Sequence, residues 1–194
     1  MKLKTSITII GGCLIIYIFI MLPIILSVQD KKENYVASIK GSSFSLNDIN
    51  NNPITEKSFQ GTGTALFFGF THCPDVCPIT LNKLSIILEK LEKENKSLKV
   101  FFISIDPERD TPKVMKDYLN SFEGKFTGIT GKPEKIFMLS QSWGIASQKI
   151  FLENGEYTVN HSSPIILLRN GKYVDRITHK DDLKRSIKII KKYL

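Results

Sequence analysis

The feature that most constrains the fold is a pair of cysteines between an apolar run and a helical pattern. Cys73 and Cys77 lie four residues apart in segment 70–78, which reads FTHCPDVCP. If Pro74 takes the first helical position, which its fixed φ favours, Cys73 lies at the helix start and Cys77 one turn along on the same face. The pattern therefore predicts a strand, a turn and a helix that bring two sulfur atoms together.

Two thiols at this spacing can bind a metal, form a disulfide or do both. Both feel the positive end of the helix dipole, which favours the thiolate and raises affinity for soft cations. Helical residues four apart have Cα atoms separated by about 6 Å, inside the range that a disulfide tolerates. Flanking prolines and a Thr-His step are atypical of a plain core helix. We therefore predict a metal or redox site, and the spacing alone leaves both uses open.

A second feature is the uncharged, mostly apolar stretch of 22 residues at positions 7–28. As a helix it would cover about 33 Å, enough to cross the hydrocarbon layer of a bilayer. Lys2 and Lys4 precede it, so the positive-inside rule predicts a cytoplasmic segment 1–6 and an outward-facing domain. The stretch is too long for a cleaved signal peptide, and a lipoprotein-like box at 10–13 is the weaker alternative. We expect a single-pass protein of a bacterial inner membrane with its C-terminal domain in the periplasm.

The cysteine count supports a reactive or metal-binding pair. The chain has three cysteines, and Cys13 falls inside the predicted membrane span. Only Cys73 and Cys77 then face the oxidising compartment. A disulfide that closes so small a loop removes little chain entropy and stabilises little, so a purely structural bridge is the poorer interpretation.

Strand and helix patterns alternate along the rest of the chain. Residues 29–42 are polar and predict a linker, and the folded domain is expected at 43–194. Apolar runs at 64–70 and 98–106 predict buried strands, and leucine spacing predicts a helix over 79–91. The remaining expectations are helices at 111–122, 133–143 and 181–194, strands at 126–129 and 148–152, and a hairpin at 164–177. This order predicts an α/β sheet with helices on both faces.

The formal net charge of +8 does not indicate a nucleic-acid-binding protein. The lysines are scattered and gather mainly in the last helical pattern, whose other face is apolar. No recognition motif or array of aromatic residues accompanies them. We interpret them as a solvated helix face, with attraction to an anionic membrane surface or to acidic partners as a secondary possibility.

Four motifs resemble the Sco/SenC proteins in order and spacing. They are FGFTHCPDVCP at 68–78, SIDPERDTP at 104–112, GITGKPE at 128–134 and VNHS at 159–162. The resemblance covers about residues 42–194, and the preceding apolar span also fits. It implies an α/β, thioredoxin-like fold with an N-terminal transmembrane helix, a bound copper ion, and a role in delivering copper to, or reducing, the CuA site of cytochrome c oxidase.

Carried over position by position, the resemblance implies Cys73, Cys77 and His161 as the copper ligands. Two thiolates and one imidazole form a soft, low-coordinate set that suits Cu(I) and accommodates Cu(II). A structural zinc ion normally needs a fourth protein ligand, and none is obvious in the sequence. His72 adjoins Cys73, and because adjacent side chains usually point apart we expect it outside the ligand set.

Other residues of these motifs carry separate expectations. Asp106 and Asp110 frame a proline-rich turn and predict turn and capping chemistry. Many family members have Asp where this chain has Asn160, so the role of that acid is not carried over. Ser163–Pro164 resembles the proline that ordinary thioredoxins keep in cis beside their cysteines, and we predict a cis bond here.

Two classes of function remain open. The first is a metallochaperone without turnover, which takes copper from an upstream carrier and passes it to the copper-bearing subunit of the oxidase. The second is a thiol:disulfide oxidoreductase in which Cys73 attacks, Cys77 resolves and a thioredoxin-like protein supplies electrons. Three residues separate the cysteines, where redox thioredoxins usually have two, and dithiol exchange does not need His161. Both observations favour the chaperone, and a thiol peroxidase using Thr71 ranks third.

Overall fold

The computed structural model describes residues 17, 19–27 and 41–194. Residues 19–27 are helical, and their apolar side chains are mostly exposed. Within these described ranges, no helix combines the length and the apolarity that a membrane span requires. The predicted cytoplasmic segment 1–6 and most of the predicted span and linker lie outside the described residues. Residues 40–194 form a compact unit of their own, and the following paragraphs concern that unit.

A mixed sheet of seven strands forms the centre of this unit. Its strands are β1 (Ser45–Asp48), β2 (Pro53–Thr55), β3 (Thr64–Gly69), β4 (Lys99–Ser104), β5 (Phe126–Thr130), β8 (Ile165–Arg169) and β9 (Lys172–Ile177). Their order in the sheet is β2-β1-β5-β4-β3-β8-β9. Strands β3, β4 and β5 are parallel, while β1 and β8 pair antiparallel to them. Two further strands, β6 (Ser147–Phe151) and β7 (Tyr157–His161), pair antiparallel in a separate hairpin.

Four α-helices and one short 3-10 helix (Glu56–Phe59) accompany the sheet. The α-helices are α1 (Val76–Glu92), α2 (Pro112–Leu119), α3 (Pro133–Ser142) and α4 (Leu183–Lys191). Side chains cap the first turns of α2 and α4, whereas α1 and α3 have no side-chain cap. Thr111 accepts a hydrogen bond from the Val114 N–H and caps α2, as expected for Thr before a helix-starting proline. Asp182 caps α4 in the same way through the Arg185 N–H.

The core lies between the central strands and α1. All six residues of β3 are buried, as are five of the six in β4, which confirms the prediction of central strands covered on both faces. The leucine face of α1 packs on this sheet, and Ile190 of α4 joins the same cluster. Since β3 runs directly into the turn before α1, the core fixes the end of the sheet where the cysteines lie.

Two local expectations are wrong in detail. Helix α1 begins at Val76 rather than at Pro74, because the turn closed by the Cys73 N–H on the Phe70 carbonyl (3.2 Å) precedes it. The Ser163–Pro164 bond is trans, not cis. Trans is the intrinsically favoured form of X–Pro bonds, and the extended strand β8 starts at the next residue. His161 is the last residue of strand β7.

Candidate metal centre

The two cysteines and His161 converge at one end of the sheet. One ligand atom from each of Cys73, Cys77 and His161 lies within 4.8 Å of the other two. Metal bonds to sulfur and nitrogen are about 2.0–2.3 Å long, so a small side-chain adjustment suffices for the three atoms to share one ion. The three predicted ligands therefore form a cluster with the geometry of a low-coordinate metal site.

The turn before α1 and the first turn of that helix position the sulfurs. The Cys77 N–H is one of the free donors at the helix N-terminus, and it donates to Cys73 Sγ at 3.4 Å. Asp75, the residue at the cap position, makes no capping hydrogen bond with its side chain. The Cys73 sulfur thus takes over part of the capping role, and the helix dipole favours negative charge on it.

The two thiols have opposite proton affinities. Hydrogen bonding from the Cys77 thiol, with a further contribution from His161, lowers the pKa of Cys73 to about 4 although burial opposes the shift. The same hydrogen bond to Cys73, together with burial, raises the pKa of Cys77 above its ordinary value. The metal-free pair therefore holds one thiolate and one thiol at neutral pH. Binding of a soft cation by both sulfurs releases the remaining proton.

His161 enters the site from the β6–β7 hairpin. Its Nδ1 lies 3.0 Å from the Ser162 carbonyl oxygen, which can only accept a hydrogen bond. A ring that donates from Nδ1 to this carbonyl offers a metal the lone pair of Nε2 once Nε2 carries no proton. The ring meets the Phe70 ring edge-on, with centroids 5.8 Å apart. Because Phe70 is only 1% exposed, it gives the imidazole a fixed surface to pack against.

A buried carboxylate supports the cysteine turn. Asp110 accepts hydrogen bonds from the Thr71 N–H (3.1 Å), the Thr71 hydroxyl (2.6 Å) and the Ser104 hydroxyl (2.6 Å). Burial raises the pKa of Asp110 although these hydrogen bonds oppose the shift. The sequence predicted only turn and capping chemistry for this residue, whereas Thr111 is the actual helix cap. Asp110 instead fixes the residue two positions before Cys73.

The same turn also holds the histidine hairpin. Asp106 accepts hydrogen bonds from Arg109 Nε (2.5 Å) and from the Tyr157 hydroxyl (2.7 Å). Arg109 Nη1 donates to the Tyr157 carbonyl at 2.9 Å, and its guanidinium lies 3.8 Å from the centre of the Tyr157 ring. Since Tyr157 opens β7 and His161 ends it, segment 104–110 braces both sides of the metal centre.

Sequence reasoning predicted the three members of this cluster but missed the residues that support it. His72 is exposed, contacts the Thr71 hydroxyl (3.0 Å) and is outside the cluster, as expected. No sequence pattern marks Tyr157, because only the folded chain brings it to Asp106. Gly69 could have been found from the sequence, since a glycine within a strand pattern often marks a close approach of another group. Its missing side chain leaves room for the Cys77 sulfur.

Gly69→Ala should disturb both folding and metal binding. A Cβ at this position would lie 2.8 Å from Cys77 Sγ and 2.8 Å from the Phe102 ring. Because both neighbours are buried, we expect a loss of about 1–3 kcal/mol in the free energy of unfolding. We also expect weaker copper binding, because the new methyl group displaces a ligand atom. Urea unfolding and copper titration measure the two effects.

Gly128→Ala is the matched control. Its Cβ would meet Ile49 and Leu119 at 2.8 and 2.9 Å, so the crowding is similar but remote from the sulfurs. We expect a comparable loss of stability with copper affinity unchanged. Equal copper affinity in the two folded variants would contradict the assignment of Gly69 to the ligand pocket.

Known proteins of similar sequence and structure support this arrangement. Residues 32–194 match the family model SCO1/SenC. The protein SCO1 homolog 1, mitochondrial, of Arabidopsis thaliana is 38% identical in an alignment of 152 residues that covers 73% of this chain and 45% of that protein. The mitochondrial protein SCO2 of Saccharomyces cerevisiae is 31% identical over 169 residues, 85% of this chain and 56% of that protein. The matched region is thus about half the length of these two relatives.

A solved structure shows the same fold with metal present. The structure of Bradyrhizobium japonicum ScoI with copper bound is 39% identical, with a TM-score of 0.73, and the match covers 79% of this chain and 99% of that one. The likeness confirms the expected α/β, thioredoxin-like fold of the globular unit. Together with the family match over residues 32–194, it establishes that this chain belongs to the SCO1/SenC family.

Proposed function

We propose that this chain is a copper metallochaperone that serves the CuA site of cytochrome c oxidase. The observation that carries the proposal is the convergence of Cys73, Cys77 and His161 within 4.8 Å. The third ligand comes from a hairpin that dithiol chemistry alone does not require. The copper-bound structure of the relative ScoI supports copper as the metal.

The donor set suits copper that must be released again. Two sulfurs and one imidazole nitrogen satisfy Cu(I) in a low-coordinate site and also accommodate Cu(II). Cys77 is fully buried, whereas Cys73 and His161 are partly exposed. We propose that ligands of the recipient subunit first displace His161 and Cys73 and that Cys77 is released last. The transfer is an exchange of ligands, so no electron needs to be supplied.

The proposal includes a place in the cell. The uncharged stretch 7–28 and the lysines before it support a single-pass anchor in a bacterial inner membrane, with segment 1–6 in the cytoplasm. Segment 29–42 then serves as the linker to a periplasmic domain. Copper would reach that domain from an upstream carrier and leave it for the copper-bearing oxidase subunit.

A second candidate function is reduction of the cysteines of the oxidase copper site. It is favoured by two free cysteines whose sulfurs lie within 4.8 Å, with the partly exposed one first in the chain. The Cys73 thiolate would attack a substrate disulfide and release one substrate thiolate. The Cys77 thiol would pass its proton to the released substrate thiolate and then attack the mixed disulfide, which releases the second substrate thiolate and leaves a Cys73–Cys77 disulfide. A thioredoxin-like reductant would return the two electrons.

Copper titration of the globular domain tests the first proposal. We expect one copper ion per wild-type chain and at least about a hundredfold weaker binding by Cys77→Ser, because a direct ligand matters more than the outer contacts that typically change affinity 10–100-fold. The amount of copper bound is measured from the spectroscopic signal of the copper–thiolate bonds. Stoichiometric, tight binding by Cys77→Ser would exclude Cys77 as a ligand and contradict the proposed site.

A further inference from the structure

Basic side chains are concentrated at the end of the globular unit opposite to the metal centre. The parallel strands β3, β4 and β5 begin at this end, and α1 runs from the cysteines toward it over 17 residues, about 25 Å. Strand β8 ends there and β9 begins there, since Arg169 pairs with Lys172. Helix α4 ends there as well, because Lys191 Nζ lies 2.5 Å from Glu94 Oε1 just after α1.

We call the positive surface at this end the basic pole. Its members are the basic side chains at the ends of these elements, Lys90, Lys93, Lys96, Lys99, Lys125, Arg169, Lys172, Lys188, Lys191 and Lys192. All of them are exposed except Lys191, which is partly buried. The acidic side chains at the same end are fewer, namely Glu89, Glu92, Glu94 and Glu123. A large positive surplus therefore remains on one surface.

Local pairing leaves most of this charge uncompensated. Lys93 pairs with Glu89 at 2.5 Å, and Lys96 and Lys191 share Glu94. Lys90 and Lys188 face each other across a groove between α1 and α4 and form no ion pair with any described residue. Lysines at helix C-termini are stabilised by the helix dipole. The dipole does not account for the basic residues at the strand ends, which lie outside any helix.

The opposite end shows no such surplus among the described residues, because Lys132, Lys135 and Lys180, which form no ion pair there, are matched in number by Asp75, Glu134 and Asp182. There Arg109 pairs with Asp106 and Lys149 pairs with Glu108, both at 2.5 Å. Asp75 places its negative charge between the two cysteines. The globular unit is therefore electrostatically polarised along α1, with the metal centre at the compensated end.

We propose that the basic pole binds anionic phospholipid headgroups at a membrane surface. The pole is spread over helices, strand ends and loops, and apart from Arg169 all its basic residues are lysines. Flexible lysines act as hydrated point charges that suit a diffuse layer of headgroups, whereas a folded acidic partner is more often recognised by fixed arginine forks. Binding in this way directs the metal centre away from the lipid.

Vesicle binding by residues 41–194 tests the proposal. This part folds without the N-terminal segment, as the ScoI structure shows, because almost the whole of that chain matches this domain. The probes are vesicles of phosphatidylcholine with or without phosphatidylglycerol, sedimented at low and high salt. We expect binding only with phosphatidylglycerol, and binding that weakens as salt is added.

Charge-reversal variants locate the contact. Each lysine near an anionic surface contributes about fivefold to the partition coefficient, so Lys90→Glu with Lys188→Glu should lower it at least about 25-fold. Lys132→Glu with Lys180→Glu changes the net charge equally at the other end and should have a much smaller effect. When the domain binds the vesicles, amide hydrogen exchange should slow at residues 90–96 and 188–194 and should not slow at residues 70–77.

Three outcomes would overturn the proposal. Equal losses in the two double variants would show a net-charge effect without a defined pole. Absence of binding to phosphatidylglycerol vesicles would remove the lipid assignment. Tighter binding to poly-glutamate than to these vesicles would assign the pole to an acidic protein partner instead.

Discussion

His161→Ala is expected to abolish tight copper binding while leaving dithiol chemistry intact. The imidazole is one of the three groups of the proposed site, and among the described residues its side chain hydrogen-bonds only to Cys73 and to the carbonyl of its neighbour. Its removal should lower copper affinity at least about a hundredfold, more than loss of an outer contact costs. Copper titration and a disulfide-reduction assay on the same protein measure both properties. Lost copper binding with retained dithiol reactivity is the expected result.

The variant also separates the two candidate functions in the cell. If the chain is a chaperone, oxidase assembly should fail in His161→Ala, since no metal is delivered. If it is a thiol:disulfide oxidoreductase, assembly should continue, because electron exchange uses only Cys73 and Cys77. His72→Ala is the matched control, as this exposed imidazole lies beside Cys73 but outside the cluster. Copper affinity unchanged by His161→Ala would contradict the ligand assignment.

Asp110→Ala should destabilise the domain and loosen the metal centre together. The substitution leaves the Thr71 N–H and the hydroxyls of Thr71 and Ser104 without their buried acceptor. We expect the free energy of unfolding to fall by about 3 kcal/mol, because hydrogen bonds to a charged acceptor are strong and unpaired buried groups are costly. Copper affinity should fall about 10–100-fold, as the turn that positions Cys73 is no longer fixed.

Asp48→Ala is a matched control for this effect. Asp48 is also buried and accepts hydrogen bonds from Asn50 and Asn52, but it lies at the turn between β1 and β2. The Asp48→Ala variant should lose stability to a similar extent without a change in copper affinity. A parallel fall in copper affinity for both variants would show that Asp110 acts only through overall stability.

Local sequence signals predicted most of the regular structure. The apolar runs that became β3 and β4, the leucine spacing of α1 and the proline-started helices α2 and α3 each depend on neighbours within one element. The short strands β1 and β2 were missed, since they consist largely of polar residues and obtain their hydrogen bonds from β5 and from each other. The trans Ser163–Pro164 bond was also mispredicted.

The metal centre shows the same division between local and distant information. Cys73 and Cys77 could be paired from their spacing, because a single helical turn brings them together. His161 is 84 residues beyond Cys77 in the chain and could be added only from the family resemblance. The spacing of residues along the chain predicted neither the contact of Tyr157 with Asp106 nor the supporting role of Asp110. Both residues act through contacts that form only when the sheet is assembled.

The sequence by itself determined the α/β alternation, the sulfur pair at the start of α1 and the excess of basic residues. Periodicity, proline positions and charge are properties of the chain before it folds. Only the tertiary structure decided that the β6–β7 hairpin presents its imidazole to the sulfurs, that segment 104–110 braces both sides, and that the lysines gather at the opposite end. These features depend on strand order and helix direction, which the hydrophobic core selects through contacts between residues far apart in the chain.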